Sequence, residues 1–525
     1  MRILNKNMVK KKAGGQYFTP ELITDFMVGL IENKKSSSIF ESCAGEGAFL
    51  KSLEKKGFDN VTAFEIDKDL ENKSNIKIEY KDTLNNIPNK KFKVIIGNPP
   101  YVRWKNIPED IRKNLSSSNF WKDKINGLND LLYLFILMSV DLLEENGELI
   151  FITPTFWTST LHSKKIRQKM QEEGEITHLI NFDEMKIFDK VSSNLLVFRF
   201  VKKKENKDMK VINIRHKGKV TKEIIQKLKD LLLELEVKKE INDGFFEAFN
   251  YKQFTDFEDW NALPPKIESR INKIEKQSNS KIGDFSEICN GMVSGLDEAF
   301  KVEDTSNFSR VEKELFIDVV KAKNLKKFFN EDSTNYIFLN DRNMDEKELG
   351  KYPKVKEKLQ EFKEGLLKRY SYNKEIPYWE WVFLRNKSHI ENSKSKIVCP
   401  CKERFDSKGY VRFALVNGDY YIAQDTTAII VNKTLKEDSK YILALLNSDL
   451  IFEWLKYKGL NRGGVLEFSE KPISSIPIKL INWDNKREVE IYHNIIRLVD
   501  RIRETKETKE NLELLNNEIK SLYEF

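Results

Sequence analysis

The sequence predicts an α/β protein: a doubly wound parallel sheet, then an α+β domain with a helical tail. Three observations predict it. Apolar strand-like runs alternate with helical patterns from residue 20 to 201. After residue 240 the text changes to short, aromatic-rich strands and loops. The stretch 485–522 is highly charged with apolar residues at helical spacing.

The first half sets out its elements in order. Residues 20–31 read as a helix with Thr19 as N-cap and Pro20 in its first turn. A strand at 38–41, a helix at 47–56 and strands at 61–66, 76–80 and 92–97 follow. A very apolar helix spans 128–143, bounded by Asp130, Asp141 and Glu144, so it reads as buried within a protein core. The strand 147–152, the helix 161–172 and the strand 176–182 continue the alternation. A strand at 193–201 is expected to pair with 211–216. The charged helix 221–240 has apolar spacing near 3.6 and reads as a bridge between domains. Later come a helix at 440–457, the loop Gly459-Leu-Asn-Arg-Gly-Gly464, and the tail, one helix or two, read as a surface helical hairpin or coiled-coil-like arm. The expected division is 1–220, a linker 221–245, 246–480, and a tail 481–525.

Composition narrows the class. A chain of 525 residues exceeds one core, and 40% hydrophobic content with 34 Phe builds sizeable ones. The formal charge of +8, from 90 basic against 82 acidic residues, permits a polyanionic partner without requiring one. Four cysteines do not make a disulfide framework, and Cys399-Pro-Cys401 lacks a second ligand pair at zinc spacing, so no metal is expected. Reduced cysteines point to the cytoplasm. No signal peptide or membrane-spanning stretch is read.

The most informative run is Val94-Ile-Ile-Gly-Asn98-Pro99-Pro100-Tyr101. Two prolines end the strand, because each fixes φ and lacks a backbone donor. The resulting loop offers an amide oxygen, a proline carbonyl and an aromatic ring. That set suits an exocyclic amine on a planar base: two acceptors take its hydrogens and the ring stacks. Taken alone, the run is equally a strand ended by a proline turn.

Upstream strand ends add weight. The first strand runs into Glu41-Ser-Cys-Ala44-Gly45-Glu-Gly47, a tight loop of small residues that is not the dinucleotide fingerprint. The second ends at Glu65-Ile66-Asp67, and Asp82 follows the third. In a doubly wound sheet, ligands sit beyond the carboxyl ends of strands. A carboxylate at the second such end can accept from ribose hydroxyls, and one at the third from an adenine amine. Each acid alone is more often a solvated loop residue than a ligand; three in succession before Asn98 are not easily dismissed.

Gln16-Tyr-Phe-Thr19-Pro20, the 41–50 loop, Glu65-x-Asp67, Asp82 and Asn98-Pro-Pro-Tyr101 resemble motifs X, I, II, III and IV of the S-adenosylmethionine-dependent DNA amino-methyltransferases. Their order, with a long C-terminal region, resembles the gamma class of adenine-N6 enzymes. The resemblance implies a Rossmann-like methyltransferase domain and a target-recognition domain. It implies that Glu65 binds ribose and Asp82 the cofactor adenine, with Ile66 beside them. Thr19 and Pro20 would flank the methionine end, and Glu41, Ala44 and Gly45 would line the loop near it, with Asn98 adjoining. The segment after Glu41 departs from the family form, Ser42 replacing its usual proline.

Phe182 and the run from Phe188 to Val197 resemble motif VIII, which implies Phe188 clamping a flipped base opposite Tyr101; Phe188 as plain core is the competing reading. Segments at 281–300, 320–325, 444–448 and 463–472 resemble the family's recognition domain. There Lys321, Lys323, Arg404 and Arg412, interleaved with aromatics, are candidate DNA contacts.

The expected function is transfer of a methyl group from S-adenosylmethionine to adenine N6 in duplex DNA, with base flipping, as the modification enzyme of a restriction–modification system. Alternatives are an orphan or regulatory enzyme, or an amino-methyltransferase acting on cytosine N4 or RNA. A monomer is expected, with any cognate restriction endonuclease acting separately. Direct displacement requires no enzyme nucleophile, and the strand-four loop has no cysteine.

Overall fold

The computed structural model describes residues 18–107, 109–118, 120–121, 130–183, 185–188, 194–371, 374–405, 407–461, 464–506 and 509–525. Gln16 and Tyr17 of the first motif, and Arg462 and Gly463 of the glycine loop, lie outside them. The chain divides into two compact units, Met1–Glu268 and Ser269–Phe525.

The first unit contains helix α1 (Glu21–Val28), strand β1 (Ile39–Glu41), α2 (Ala48–Lys55), β2 (Val61–Glu65), β3 (Ile78–Tyr80) and β4 (Phe92–Gly97). It continues with α3 (Glu109–Ser117), α4 (Leu131–Leu142), β5 (Leu143–Pro154), α5 (Lys164–Glu173), β6 (Glu175–Asp183), β7 (Leu195–Val201) and β8 (Met209–Ile214). Helix α6 (Lys222–Glu234) and strands β9 (Glu240–Asn242) and β10 (Phe246–Tyr251) close it. The sheet has ten strands in the order β3-β2-β1-β4-β5-β7-β6-β8-β10-β9. Strands β1 to β5 are parallel, and β7 enters antiparallel between β5 and β6.

Near-continuous apolar strands are what a sheet covered on both faces demands. Alternate residues feed two cores. Phe40, Phe92, Ile95, Leu149, Phe151 and Phe198 join α4 and α5 on one face. Ile39, Val94, Ile96, Ile150, Ile152 and Val197 join α1, α2 and α6 on the other.

Four expectations about this unit need correction. Strand β7 does not pair with 211–216; it pairs with β5 and β6, and β8 pairs with β6 and β10. Helix α6 is no bridge. Thr221 caps it by accepting from the Ile224 N–H, and Ile225, Leu228, Leu231 and Leu232 bury its apolar stripe in the core beside α1. Thr19 does not cap α1, whose N-cap is Pro20 with no side-chain hydrogen bond. Because β10 extends the sheet, the compact unit runs on to Glu268, past the 220 and 245 boundaries read from the sequence.

A buried clamp lies in the amino half of β5. Glu148 accepts from the backbone N–H of Asn33 at 2.8 Å and from its amide at 2.6 Å. Arg199 adds its guanidinium to Glu148 at 3.4 Å and to Glu32 at 2.8 Å.

The second unit holds two four-stranded sheets. One comprises Ser286–Asn290, Thr426–Val431, Ser395–Pro400 and Ala414–Asn417. The other comprises Lys301–Val302, Thr334–Ile337, Phe316–Val320 and Tyr421–Ile422. The helix expected over 440–457 is two, Ser439–Leu446 and Asp449–Lys458, because Ser448 caps the second by accepting from the Ile451 N–H. The tail is two helices packed on each other, Lys486–Thr505 and Lys509–Leu522, as the hairpin reading expects, but one face of the pair is buried rather than free at the surface. Ile491, Ile495, Val499, Ile502, Leu515 and Ile519 are buried, and the Tyr523 hydroxyl accepts from the Lys479 N–H at 3.0 Å. Among the described residues no helix is long and apolar enough to cross a membrane.

Candidate active site

The carboxyl ends of β1, β2 and β4 bring the expected residues together. After β1, Gly45 and Gly47 take φ of +55° and +82°, values that suit residues without a Cβ. A Cβ on Gly47 would stand 2.8 Å from the Asn72 amide oxygen. The Thr83 hydroxyl donates to the Ser42 carbonyl at 2.6 Å and holds the loop to the segment after β3. Glu65 is 6% exposed. One of its oxygens accepts from the Gly45 N–H at 2.7 Å and the other from the Asp67 N–H at 2.8 Å. A carboxylate has about four acceptor positions, so this pinning leaves capacity for a ligand's hydroxyls. Asp82 accepts from the Leu84 N–H at 3.0 Å and the Asn85 amide at 2.6 Å. Ile66 is 58% exposed at the same rim, an apolar side chain placed to cover a flat ring. Phe18 overlies the glycine loop: a Cβ on Gly45 would lie 3.6 Å from its ring.

Glu41 is the anomaly of the site. It is buried, and neither carboxylate oxygen has a hydrogen-bond partner. Burial pushes its pKa well above the usual carboxylate range, and the neighbouring charge of Glu65 pushes it further. Natural proteins rarely leave such a group unsatisfied without a functional reason. A cationic ligand group would satisfy it. The buried acid, the glycine cradle, the second-strand carboxylate and the exposed Ile66 together fit a nucleoside with a charged amino-acid end.

The loop after β4 is the second half of the site. Gly97 pairs with Phe151 of β5. The Asn98 amide donates to the Thr19 hydroxyl at 3.1 Å. Its amide oxygen accepts from the Tyr101 hydroxyl, which also lies 2.8 Å from the Ile152 carbonyl. Burial raises the Tyr101 pKa well above its ordinary value, so the hydroxyl keeps its proton. Pro99 is buried and Pro100 half-buried. Pro20 is exposed at the start of α1, and Ala44 is buried. Phe188 is 6% exposed, within the core cluster against which Tyr101 packs.

Two contributors were not read from the sequence. One is Ile152, whose carbonyl reaches the Tyr101 hydroxyl. The other is the loop after β5, whose signal was a strand ending in proline, as β4 does.

In the second unit the four candidate cations differ. Lys321 is drawn in, 3.1 Å from Asp297 and 3.3 Å from Asp425, with its side chain 12% exposed. Arg412 bonds Glu403 at 2.7 Å and the Leu325 carbonyl at 2.9 Å. Lys323 and Arg404 are exposed. Tyr378 and Trp381, read as interleaved aromatics, lie in the core. Among the described residues no group of three His, Cys, Asp or Glu gathers as a metal site.

Residues 27–188 match the family described as Eco57I restriction-modification methylase. Residues 318–478 match the TaqI-like C-terminal specificity domain. The chain is 37% identical over 514 residues to the Type II methyltransferase M.HindII of Haemophilus influenzae, covering 95% of each chain. It is 36% identical over 498 residues to M.HincII of Haemophilus influenzae, again covering 95% of each. The solved structure of the Type IIL restriction-modification enzyme MmeI in complex with DNA shares the fold. It matches with a TM-score of 0.63 at 13% identity, covering 96% of this chain and 72% of that one.

Proposed function

The chain belongs to the Type II DNA methyltransferases of restriction–modification systems, which use S-adenosylmethionine, and from that premise we propose that it methylates N6 of adenine in duplex DNA. The observation that carries this reading is the Asn98-Pro99-Pro100-Tyr101 loop, set at the end of β4 beside a glycine cradle lined by Glu41, Glu65 and Asp82. Its motif order supports placement in the gamma class.

Bound S-adenosylmethionine supplies an electrophilic methyl group. Glu65 would accept from its ribose hydroxyls and Asp82 from its adenine amine, with Ile66 as apolar cover for that ring. Thr19, Pro20, Glu41, Ala44 and Gly45 would hold the methionine end, next to Asn98. The target adenine leaves the base stack, because N6 cannot be reached inside it. The Asn98 amide oxygen and the Pro99 carbonyl accept the two N6 hydrogens, which directs the nitrogen lone pair toward the methyl donor. Pro100 stiffens the loop. Tyr101 stacks on one face of the base and Phe188 closes the other. Catalysis rests on positioning and electrostatics, with no covalent enzyme intermediate.

The first unit carries the chemistry and the second reads the DNA sequence, Lys323 and Arg404 being its exposed candidate cations. The protein acts as a cytoplasmic monomer, with its cognate endonuclease a separate chain. Nucleoside analysis of DNA from a host expressing the chain tests the reading: N6-methyladenine is expected, lost on Asn98→Ala. N4-methylcytosine in its place would overturn it.

A further inference from the structure

The loop between β5 and α5 presents two apolar side chains at the rim of the site. Phe156 is 36% exposed and Leu161 is 64% exposed. Isolated exposed apolar residues are ordinary on protein surfaces. These two differ in what holds them and where they stand.

The loop is pinned from beneath. Two short 3-10 turns, Thr155–Thr158 and Leu161–Ser163, make it up. Trp157 is fully buried, and its indole N–H donates to the Thr153 hydroxyl at 2.8 Å. Arg167 of α5 is 1% exposed. Its guanidinium donates to the carbonyls of Trp157 at 2.6 Å and Thr160 at 3.0 Å. It also donates to those of Phe257 at 2.8 Å and Glu258 at 2.9 Å. A buried arginine with four carbonyl partners is a costly device for holding backbone, and it fixes the segment that bears both side chains.

The position is next to the reacting group. The loop leaves β5 three residues after Ile152, whose carbonyl meets the Tyr101 hydroxyl. Its first N–H, that of Thr155, donates to the Asn194 carbonyl at 3.1 Å, on the segment that follows Phe188. The loop that bears the two apolar side chains therefore starts at the carboxyl edge of the sheet, the edge to which Asn98 and Tyr101 belong.

We infer that Phe156 and Leu161 are a wedge that enters the duplex and fills the space left by the extruded base. Rigid apolar side chains unstack base steps in this way in other DNA-bending proteins. The wedge would hold the base outside the stack and lower the cost of extrusion. This inference rests on the methyl-transfer reading above, but needs only that a base is extruded.

The test compares two duplexes carrying the sequence that the protein modifies in host DNA. One is fully paired; the other has an abasic site opposite the methylated base, where extrusion is cheap. The Phe156→Ala/Leu161→Ala variant is expected to lose about tenfold or more in methyl-transfer rate on the paired duplex and to recover most of it on the abasic one. An equal loss on both duplexes, or no loss on either, overturns the wedge. If the double variant proves unstable, Leu161→Ala alone makes the same comparison at an exposed position. The duplexes are built on whichever base the wild type methylates. A cytosine product would thus refute the adenine assignment and still decide the wedge.

Discussion

The Asn98 amide donates to the Thr19 hydroxyl at 3.1 Å, joining the loop after β4 to the residue that precedes α1 across 79 positions of sequence. Thr19 is 7% exposed, so water does not compete for this bond. A carboxamide can present either oxygen or nitrogen to a substrate amine, and only the oxygen accepts from it. Thr19 takes the nitrogen and so turns the oxygen toward the site.

Thr19→Val keeps the shape and removes the acceptor. Loss of one buried hydrogen bond of about 1 kcal/mol corresponds to a roughly fivefold fall in kcat. Thr19→Ser is expected to retain the wild-type rate. Single-turnover kinetics decide it; equal rates for Val and Ser would remove Thr19 from this role.

Tyr101→Phe and Tyr101→Ala separate the ring from the hydroxyl. The Phe variant keeps the stacking face and leaves the Asn98 oxygen without its partner. It should melt earlier, by a cost of about 1–3 kcal/mol, yet methylate at a rate near wild type. The Ala variant also loses stacking of about 1–3 kcal/mol, read as weaker binding of cognate DNA. A Phe variant as inactive as Ala would assign the function to the hydroxyl.

Glu41 gives a pH dependence of definite sign. In the unfolded chain it loses its proton near the ordinary value of 4.5, whereas burial holds the proton in the folded protein to much higher pH. Its contribution is fully favourable below 4.5 and declines as pH rises through the raised folded value. Glu41→Gln should therefore flatten the fall in melting temperature of the cofactor-free protein above that pH. The cationic end of S-adenosylmethionine should also displace the Glu41 proton. Calorimetry across a pH series above 4.5, in buffers of different ionisation enthalpy, should show proton release for wild type that is absent for Glu41→Gln.

The basic residues of the second unit should sort by burial. Lys321→Ala removes the cation shared by Asp297 and Asp425, which keep the Tyr336 hydroxyl and the Ala322 N–H, and should destabilise by about 1 kcal/mol, seen in denaturant melts. Lys323→Ala should leave melting unchanged and weaken DNA binding, and Arg404→Ala should also weaken DNA binding. Each phosphate contact removed should reduce the salt slope by about 1. A base contact instead weakens the cognate sequence selectively.

A fragment of residues 1–268 should fold and bind S-adenosylmethionine, whereas one of residues 1–240 should aggregate. The shorter cut removes β10, which pairs with β8 along six residues from Phe246 to Tyr251, and bares that edge. Circular dichroism and calorimetry on both fragments check this.

The gathering of the candidate residues was legible in the sequence because they mark strand ends, where an apolar run meets an acid, a glycine pair or a proline pair. What was not legible depends on long-range partners. The apolar stripe of α6 shows that the helix buries one face, but not which core receives it. Val197 and Phe198 read as strand in any register, and the insertion of β7 between β5 and β6 is settled by sheet packing. Lys321 and Lys323 are alike in sequence, and only the fold brings Asp297 and Asp425 to the first. The bond from Asn98 to Thr19 likewise required the distant segments to meet.

The Glu148–Arg199 clamp, fastened to Asn33 and Glu32, has a consequence for how this chain can vary. It braces the sheet toward the amino ends of the strands, while Glu41, Glu65 and Asn98, the residues of the proposed site, lie at the carboxyl ends. The edge that endures and the edge that reacts are thus separate territories. Substitutions can accumulate around the reacting edge and re-tune what the enzyme accepts, while the opposite edge keeps the scaffold intact through the trial.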